Sequence, residues 1–201
     1  MNLYIFDFHL ITFLVVYIFL LLLTFIIVKL RKDREHYFLY YMFIIFYYQL
    51  LFKVTMLPII IFKPGELEQF RIATGGNINV LQTIPLKTIT ENLFSRTGLI
   101  QLVGNLVLLM PLVFILKYLT KKSHSDKMIL LVTICVSIGI ECIQYINVKI
   151  THFPSHAVDI DDLILNVFGS IIALVLLKLL NKMTPELIMR VRYSMIVKEN
   201  N

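Results

Sequence analysis

Two charged residues of this chain, Lys53 and Glu141, fall inside long apolar stretches. A charge at mid-membrane costs about 2.5–3.5 kcal/mol on insertion scales, and it usually marks a pathway, a partner or a site. Gln144 lies three residues after Glu141, and Gln101 and Asn105 are four apart in another apolar stretch. Each pair therefore shares one face of a helix. These side chains are candidates for a polar site between helices.

A third group of polar residues stands at the start of the last apolar stretch. If a helix begins near Val158, one stripe of its surface carries Asp159, Asp162, Asn166 and Gly169. Asp161 points elsewhere on that helix, and we expect it to be solvated at the helix N-terminus, where the helix dipole favours a negative charge.

His152 and His156 are four apart, which suggests a metal site with Asp159 and Glu141 as oxygen ligands. Pro154 lies between the two histidines, so a regular helix that presents both on one face is not expected. The spacing also differs from that of a structural zinc motif. We therefore expect neither a metal ion nor a cofactor.

The composition indicates whether these residues lie in a water-soluble domain or in a membrane. The chain of 201 residues is 58% apolar and 16% charged, against about 45–50% and about 25% in soluble domains. It therefore belongs to the integral membrane class. Crossing a bilayer takes roughly 20 mostly apolar residues, and five stretches qualify: Leu10–Val28, Tyr37–Phe62, Leu99–Tyr118, Met128–Ile146 and Leu163–Leu180. In the second stretch, Lys53 and Pro58 leave open whether residues 53–62 complete the span or re-enter.

We predict an all-α, polytopic helix bundle that forms one membrane domain over residues 1–201. Thirteen Lys and Arg residues lie in segments 29–36, 117–127 and 178–201, which share one side of the membrane. Five lie in segments 63–98 and 147–162, on the other side. Because cationic loops stay cytoplasmic, this places the N-terminus outside and the C-terminus, with a basic tail at 181–201, inside. The net charge of +6 reflects this asymmetry and does not indicate nucleic-acid binding. The outer loop, 63–98, is expected to contain short helices or turns.

The depth of the polar residues gives an independent indication of a site. With a rise of about 1.5 Å per residue, Asn105, Glu141 and Asn166 lie roughly 9, 8 and 5 Å below the outer ends of their helices. Lys53 approaches the outer end of the second helix. We therefore predict that these four side chains face one another in a polar crevice that opens to the outside.

Three motifs in order along the chain carry a resemblance to a known family. They are Asn105-Leu-Val-Leu-Leu-Met-Pro111, Glu141-Cys-Ile-Gln144 and Asp159-Ile-Asp-Asp162-Leu-Ile-Leu-Asn166-Val-Phe-Gly169. Two weaker ones precede them, Thr55-Met-Leu-Pro58 and Asn79-Val-Leu-Gln-Thr-Ile-Pro85. Over about residues 50–180 the chain resembles the VanZ-like family of membrane proteins.

This resemblance implies a role in resistance to teicoplanin-type glycopeptides in Gram-positive bacteria, which act on cell-wall precursors outside the membrane. The resemblance indicates a resistance phenotype but does not identify a biochemical reaction. Two positions depart from the family pattern, since His156 stands where the family usually has Arg and Val113 where it often has Gly. A histidine pairs with phosphate only weakly near neutral pH.

Three functions are compatible with the sequence. The favoured one is a multi-pass protein of the cell membrane whose outer site binds a lipid, a wall precursor or the antibiotic itself, through Asn105, Gln144, His156, Asn166 and Lys53. The second is an enzyme acting on a lipid-linked envelope substrate, with Glu141 as general acid or base and Asp159 or Asp162 as its partner. The third is a small proton-coupled transporter or flippase. Alternatively, the amides and glycines only join the helices. The oligomeric state stays open.

Overall fold

The computed structural model describes residues 2–30, 38–75, 81–119, 124–153, 155 and 158–184. In chain order the elements are β1 (Leu3–Phe6), α1 (Leu10–Leu30), α2 (Phe38–Met56), β2 (Ile59–Phe62), α3 (Glu66–Ala73), β3 (Leu81–Gln82), α4 (Lys87–Asn92), α5 (Arg96–Leu108), α6 (Met110–Phe114), a π-helical turn (Ile115–Leu119), α7 (Asp126–Thr151), β4 (Val158–Asp159) and α8 (Ile160–Met183).

Five helical segments are long and apolar enough to cross a membrane: Leu10–Leu30, Phe38–Met56, Arg96–Tyr118, Asp126–Thr151 and Ile160–Met183. Each of them contains most of a predicted stretch. The protein is therefore a helical, multi-pass membrane protein, as the composition predicted. The short helices α3 and α4 lie in the 63–98 segment, where short helices or turns were expected.

The second span ends earlier than its apolar stretch does. Helix α2 stops at Met56, two residues before Pro58, because a proline disfavours helical backbone in the residue that precedes it. The apolar residues that follow form β2, which pairs antiparallel with β1 from the N-terminal segment. Residues 59–62 therefore neither complete the span nor re-enter as a helix. The all-α prediction omitted this strand pair and the short parallel pair of β3 with β4.

Helix α8 lies at the centre of the bundle and packs against α5, α6 and α7. The largest buried apolar cluster joins α6, the π-helical turn, α7 and α8 through Val113, Tyr118, Ile129, Ala173, Leu174 and Leu177. Helix α1 packs along α2, and most of its apolar surface stays exposed, as expected of a helix that faces lipid. Cys135 and Cys142 are free and exposed on α7.

A single glycine sets the distance between α5 and α8. A Cβ atom built on Gly169 would lie 1.7 Å from the carbonyl oxygen of Leu106, so the two helix backbones are in contact at this point. Small residues allow such close approach between membrane helices. The contact lies one residue after Asn105 on α5 and seven residues after Asp162 on α8, so it brings these predicted polar residues close together.

The third span is interrupted near its middle. Helix α5 ends at Leu108 and α6 begins at Met110, with Pro111 in its first turn. The phenol of Tyr47 on α2 donates a hydrogen bond of 3.2 Å to the carbonyl of Leu108. A polar backbone group at the break is thus satisfied inside the bundle, as a membrane interior requires.

Candidate functional site

Four helices enclose a polar cavity of about 510 Å³. It is lined by the last turn of α2, by α5 from Ile100 to Leu108, by the middle of α7 and by the first two turns of α8. Its polar wall comprises Thr55, Gln101, Asn105, Glu141, Gln144, Ser155, Asp159, Asp162 and Asn166. Asn105, Glu141 and Asn166, which belong to three separate helices, line this one cavity. The predicted meeting of these side chains is confirmed, while their functional roles stay predictions.

Glu141 is anchored to the beginning of α8. Its Oε2 atom accepts a hydrogen bond of 3.0 Å from the backbone N–H of Asp159. Asp159 is the N-cap of α8, and its Oδ1 atom accepts from the backbone N–H of Asp161 at 2.9 Å and from Nε2 of Gln82 at 3.3 Å. The pairing of β3 with β4 sets Gln82 beside Asp159. Backbone geometry therefore fixes both carboxylates at the rim of the cavity.

Asp162 is held from the opposite wall. The side-chain amide of Asn105 on α5 donates a hydrogen bond to its Oδ1 atom. Gly169, two turns further along α8, brings the two helices close enough for this contact. The Asn–Pro motif on α5 and the acidic motif on α8 are thus joined directly.

Asp161 has a structural role that differs from the predicted one. Its side chain is 0% exposed, and its carboxylate accepts hydrogen bonds from the backbone N–H groups of Leu86, at 2.5 Å, and Ile89, at 3.1 Å. Leu86 precedes α4 and offers no side-chain cap of its own, so Asp161 supplies the cap that the first turn needs. The expectation of a solvated Asp161 was wrong.

Two buried amides in the cavity wall each have an acceptor atom without a partner. Asn166 donates through Nδ2 to Oγ of Ser137 at 2.9 Å, and Gln144 donates through Nε2 to the carbonyl of Thr55 at 3.0 Å. The Oδ1 atom of Asn166 and the Oε1 atom of Gln144 have no partner among the described residues. Buried polar atoms are normally paired, so these two oxygens lack the partner that their burial requires.

Lys53 lies outside the cavity, contrary to the prediction. Its ammonium group contacts the N-terminal segment, where it lies 3.7 Å from the carboxylate of Asp7 and donates to the carbonyl of Phe8. An ion pair between Lys53 and Glu141 is therefore not formed. His156 lies outside the described residues. Among the described residues, no group of three or more His, Cys, Asp and Glu side chains is arranged to hold a metal ion.

The polar cavity borders apolar grooves on two sides. One groove of about 460 Å³ shares Glu141 and Asp159 with the cavity and continues along Ile138, Ile160 and Leu163. Another, of about 610 Å³, lies between α2 and α5 and shares Val54, Ile100, Gly104 and Leu108 with the cavity. A polar centre with apolar extensions is complementary in shape and polarity to an amphipathic ligand.

The comparison with known families agrees with these motifs. A family model described as VanZ/LLP1 matches residues 38–181, which is more than half of the chain. The chain belongs to the VanZ/LLP1 family. The match covers α2 to α8 and every described wall residue of the polar cavity. The searches of curated proteins and of solved structures gave no match.

Four residues of the VanZ/LLP1 site were missed by sequence reasoning, and one of them is Ser155, which precedes α8. Ser137 stands four residues before Glu141 on α7, so the helical spacing that paired Glu141 with Gln144 could have included it. Gln82 and Thr55 contribute through tertiary contacts, the former as a donor to Asp159 and the latter through its carbonyl. No local pattern indicates either of these contacts.

Proposed function

We propose that this protein binds the polar headgroup of a membrane lipid, or of a lipid-linked envelope component, in its polar cavity. The observation that carries the proposal is the juxtaposition of that cavity with two apolar grooves that share its walls. Hydrogen-bonding groups at the centre fix a headgroup, while the grooves receive the attached chains. Pockets that bind small ligands commonly combine a few convergent polar groups with apolar walls in this way.

The proposed biological role is resistance to teicoplanin-type glycopeptides at the cell membrane of a Gram-positive bacterium. These antibiotics act outside the membrane, and the distribution of Lys and Arg favours the outer face for the end that carries the cavity. A protein that sequesters or presents a lipid there would reduce the drug's effective access to its target. This role rests on the family membership together with the proposed orientation.

The orientation can be tested with single cysteines in a background in which Cys135 and Cys142 are replaced by alanine. Both natural cysteines are exposed, so these replacements are expected to be tolerated. We expect Glu68→Cys, on exposed α3, to react with an impermeant thiol reagent on intact cells. Lys127→Cys, in the exposed first turn of α7, should react only after permeabilisation. The reverse pattern would place the cavity on the cytoplasmic side and remove the link to the antibiotic.

Resistance itself should depend on the two cavity carboxylates. We expect Glu141→Gln and Asp162→Asn to lose most of the resistance, because each removes a charge-assisted hydrogen bond to the ligand that is worth about 1.5–3 kcal/mol. Both replacements keep the size of the side chain. The measurement is the inhibitory concentration of teicoplanin at matched expression of folded protein.

The matched control for these variants is Glu68→Gln, the same chemical change on an exposed helix outside the cavity. It should keep full resistance. Full resistance in both cavity variants would mean that the carboxylates serve only to hold helices together, and the proposal would fail.

A lipid-modifying enzyme is the second candidate, because three carboxylates (Glu141, Asp159 and Asp162) line a cavity that adjoins lipid-sized grooves. Glu141 would act as general acid or base with Asp159 or Asp162 as its partner. Recovery of the bound lipid in chemically altered form, from wild type and not from Glu141→Gln, would favour this candidate over simple binding.

A further inference from the structure

The two fully buried polar atoms of the cavity wall that have no partner among the described residues are both acceptors. Asn166 is 1% exposed, it lines the cavity, and its Oδ1 atom has no partner among the described residues. The Oε1 atom of Gln144 is in the same condition. Two donors beside them, Nδ2 of Asn105 and the backbone N–H of Asp159, already bind Asp162 and Glu141. A ligand that pairs with these two amide oxygens must therefore bring hydrogen-bond donors.

The charge of the cavity also restricts the kind of ligand that it can bind. Three carboxylates line it, and none of its described wall residues is Lys or Arg. Like charges in a medium of low dielectric repel strongly, so a cationic group is favoured next to these carboxylates and an anionic group is disfavoured there. A metal ion is disfavoured because the described His, Cys, Asp and Glu residues form no group arranged to hold one.

We propose that the group bound in the polar cavity is the primary ammonium of a lipid headgroup. This deepens the lipid-binding function proposed above and rests on it. An ammonium carries three N–H donors and one positive charge on a compact head, which satisfies the amide oxygens and neutralises part of the carboxylate charge. The apolar grooves on both sides accommodate the chains of the same lipid.

The test compares four lipids with identical acyl chains, offered to the purified full-length protein in detergent. Phosphatidylethanolamine has a primary ammonium, phosphatidylcholine has the charge without N–H donors, diglucosyl diacylglycerol has hydroxyl donors without the charge, and phosphatidylglycerol is anionic. Bound lipid is counted by native mass spectrometry. We expect phosphatidylethanolamine to bind at least about tenfold more tightly than each of the others, as loss of one charge-assisted hydrogen bond implies. This series requires no variant.

Variants then locate the preference. We expect Asp162→Asn together with Glu141→Gln to remove the preference for phosphatidylethanolamine, and Glu68→Gln to keep it. Gln144→Leu should weaken binding, whereas Gln49→Leu should not. Gln49 is also a buried amide with an unpartnered Oε1 atom, but it does not line the cavity and donates to the carbonyl of Phe13 between α1 and α2. Each variant is compared with wild type in thermal unfolding.

Several outcomes would overturn the inference. Equal binding of phosphatidylcholine and phosphatidylethanolamine would show that the cavity does not recognise N–H donors. If the glucosyl lipid bound more tightly than phosphatidylethanolamine, and this binding were lost in the carboxylate variants, the ammonium proposal would be wrong. The proposed lipid-binding function would still hold. Lipid binding that responds to none of the cavity variants would overturn both.

Discussion

Replacing Gly169 with alanine is expected to prevent α5 and α8 from packing. The added Cβ atom would lie 1.7 Å from the backbone carbonyl oxygen of Leu106, far inside contact distance. A backbone carbonyl of a helix cannot rotate away as a side chain can, so the two helices must separate. We expect a loss of about 3 kcal/mol in the free energy of unfolding, since overpacking of a tight contact costs up to this much.

The measurement is thermal unfolding in detergent, together with the fraction of protein that elutes as a monodisperse peak. Gly139→Ala is the matched control, because Gly139 lies within α7 and a Cβ atom there meets nothing within 4 Å. That substitution should be neutral or stabilising by up to about 1 kcal/mol, the difference in helix propensity. Equal stability of the two alanine variants would contradict the close approach of α5 and α8.

The separation of these helices should also disrupt the site. Asn105 on α5 holds the carboxylate of Asp162 on α8, two turns from the glycine contact. Any Gly169→Ala protein that remains folded is therefore expected to lose the lipid preference as well. The glycine of the family motif thus has a specific physical task, which is to bring an amide and a carboxylate from two helices together.

Helical periodicity explains why much of the cavity could be predicted from the sequence. The five spans follow from length and composition, since a bilayer demands continuous apolar helices. Within them, Glu141 and Gln144 share a face because they are one turn apart, and Asp162, Asn166 and Gly169 form a stripe for the same reason. Residues on regular helices can be placed from spacing alone, and these line the cavity or its helix contact as predicted.

Contacts made by loops and by the N-terminal segment could not be predicted in this way. The β1–β2 pair joins residues 3–6 to residues 59–62, and no local pattern signals pairing at that separation. Lys53 lies on the predicted helix but contacts Asp7 and Phe8 of this segment. Asp161 turned out to be buried because it caps α4, which lies more than 70 residues earlier in the chain. In each case the decisive partner is remote in sequence.

The central claim is that polar side chains from separate membrane helices hold a lipid headgroup between them. Its most direct test is photolabelling of the protein in lipid nanodiscs, with lipids of several headgroups that carry a photoreactive group in one acyl chain. Peptide mapping then reports which helices the chain contacts. Helix α1, whose apolar surface is largely exposed, serves as an internal standard for lipid that is merely annular.

We expect labelling to concentrate on the apolar grooves beside the cavity, around Leu163 on one side and Val103 on the other. In the protein that carries both Glu141→Gln and Asp162→Asn, this groove labelling should fall about tenfold, as the loss of charge-assisted hydrogen bonds implies. The labelling of α1 should stay unchanged. Labelling spread evenly over α1 and the groove helices, with no response to the carboxylate substitutions, would contradict the account.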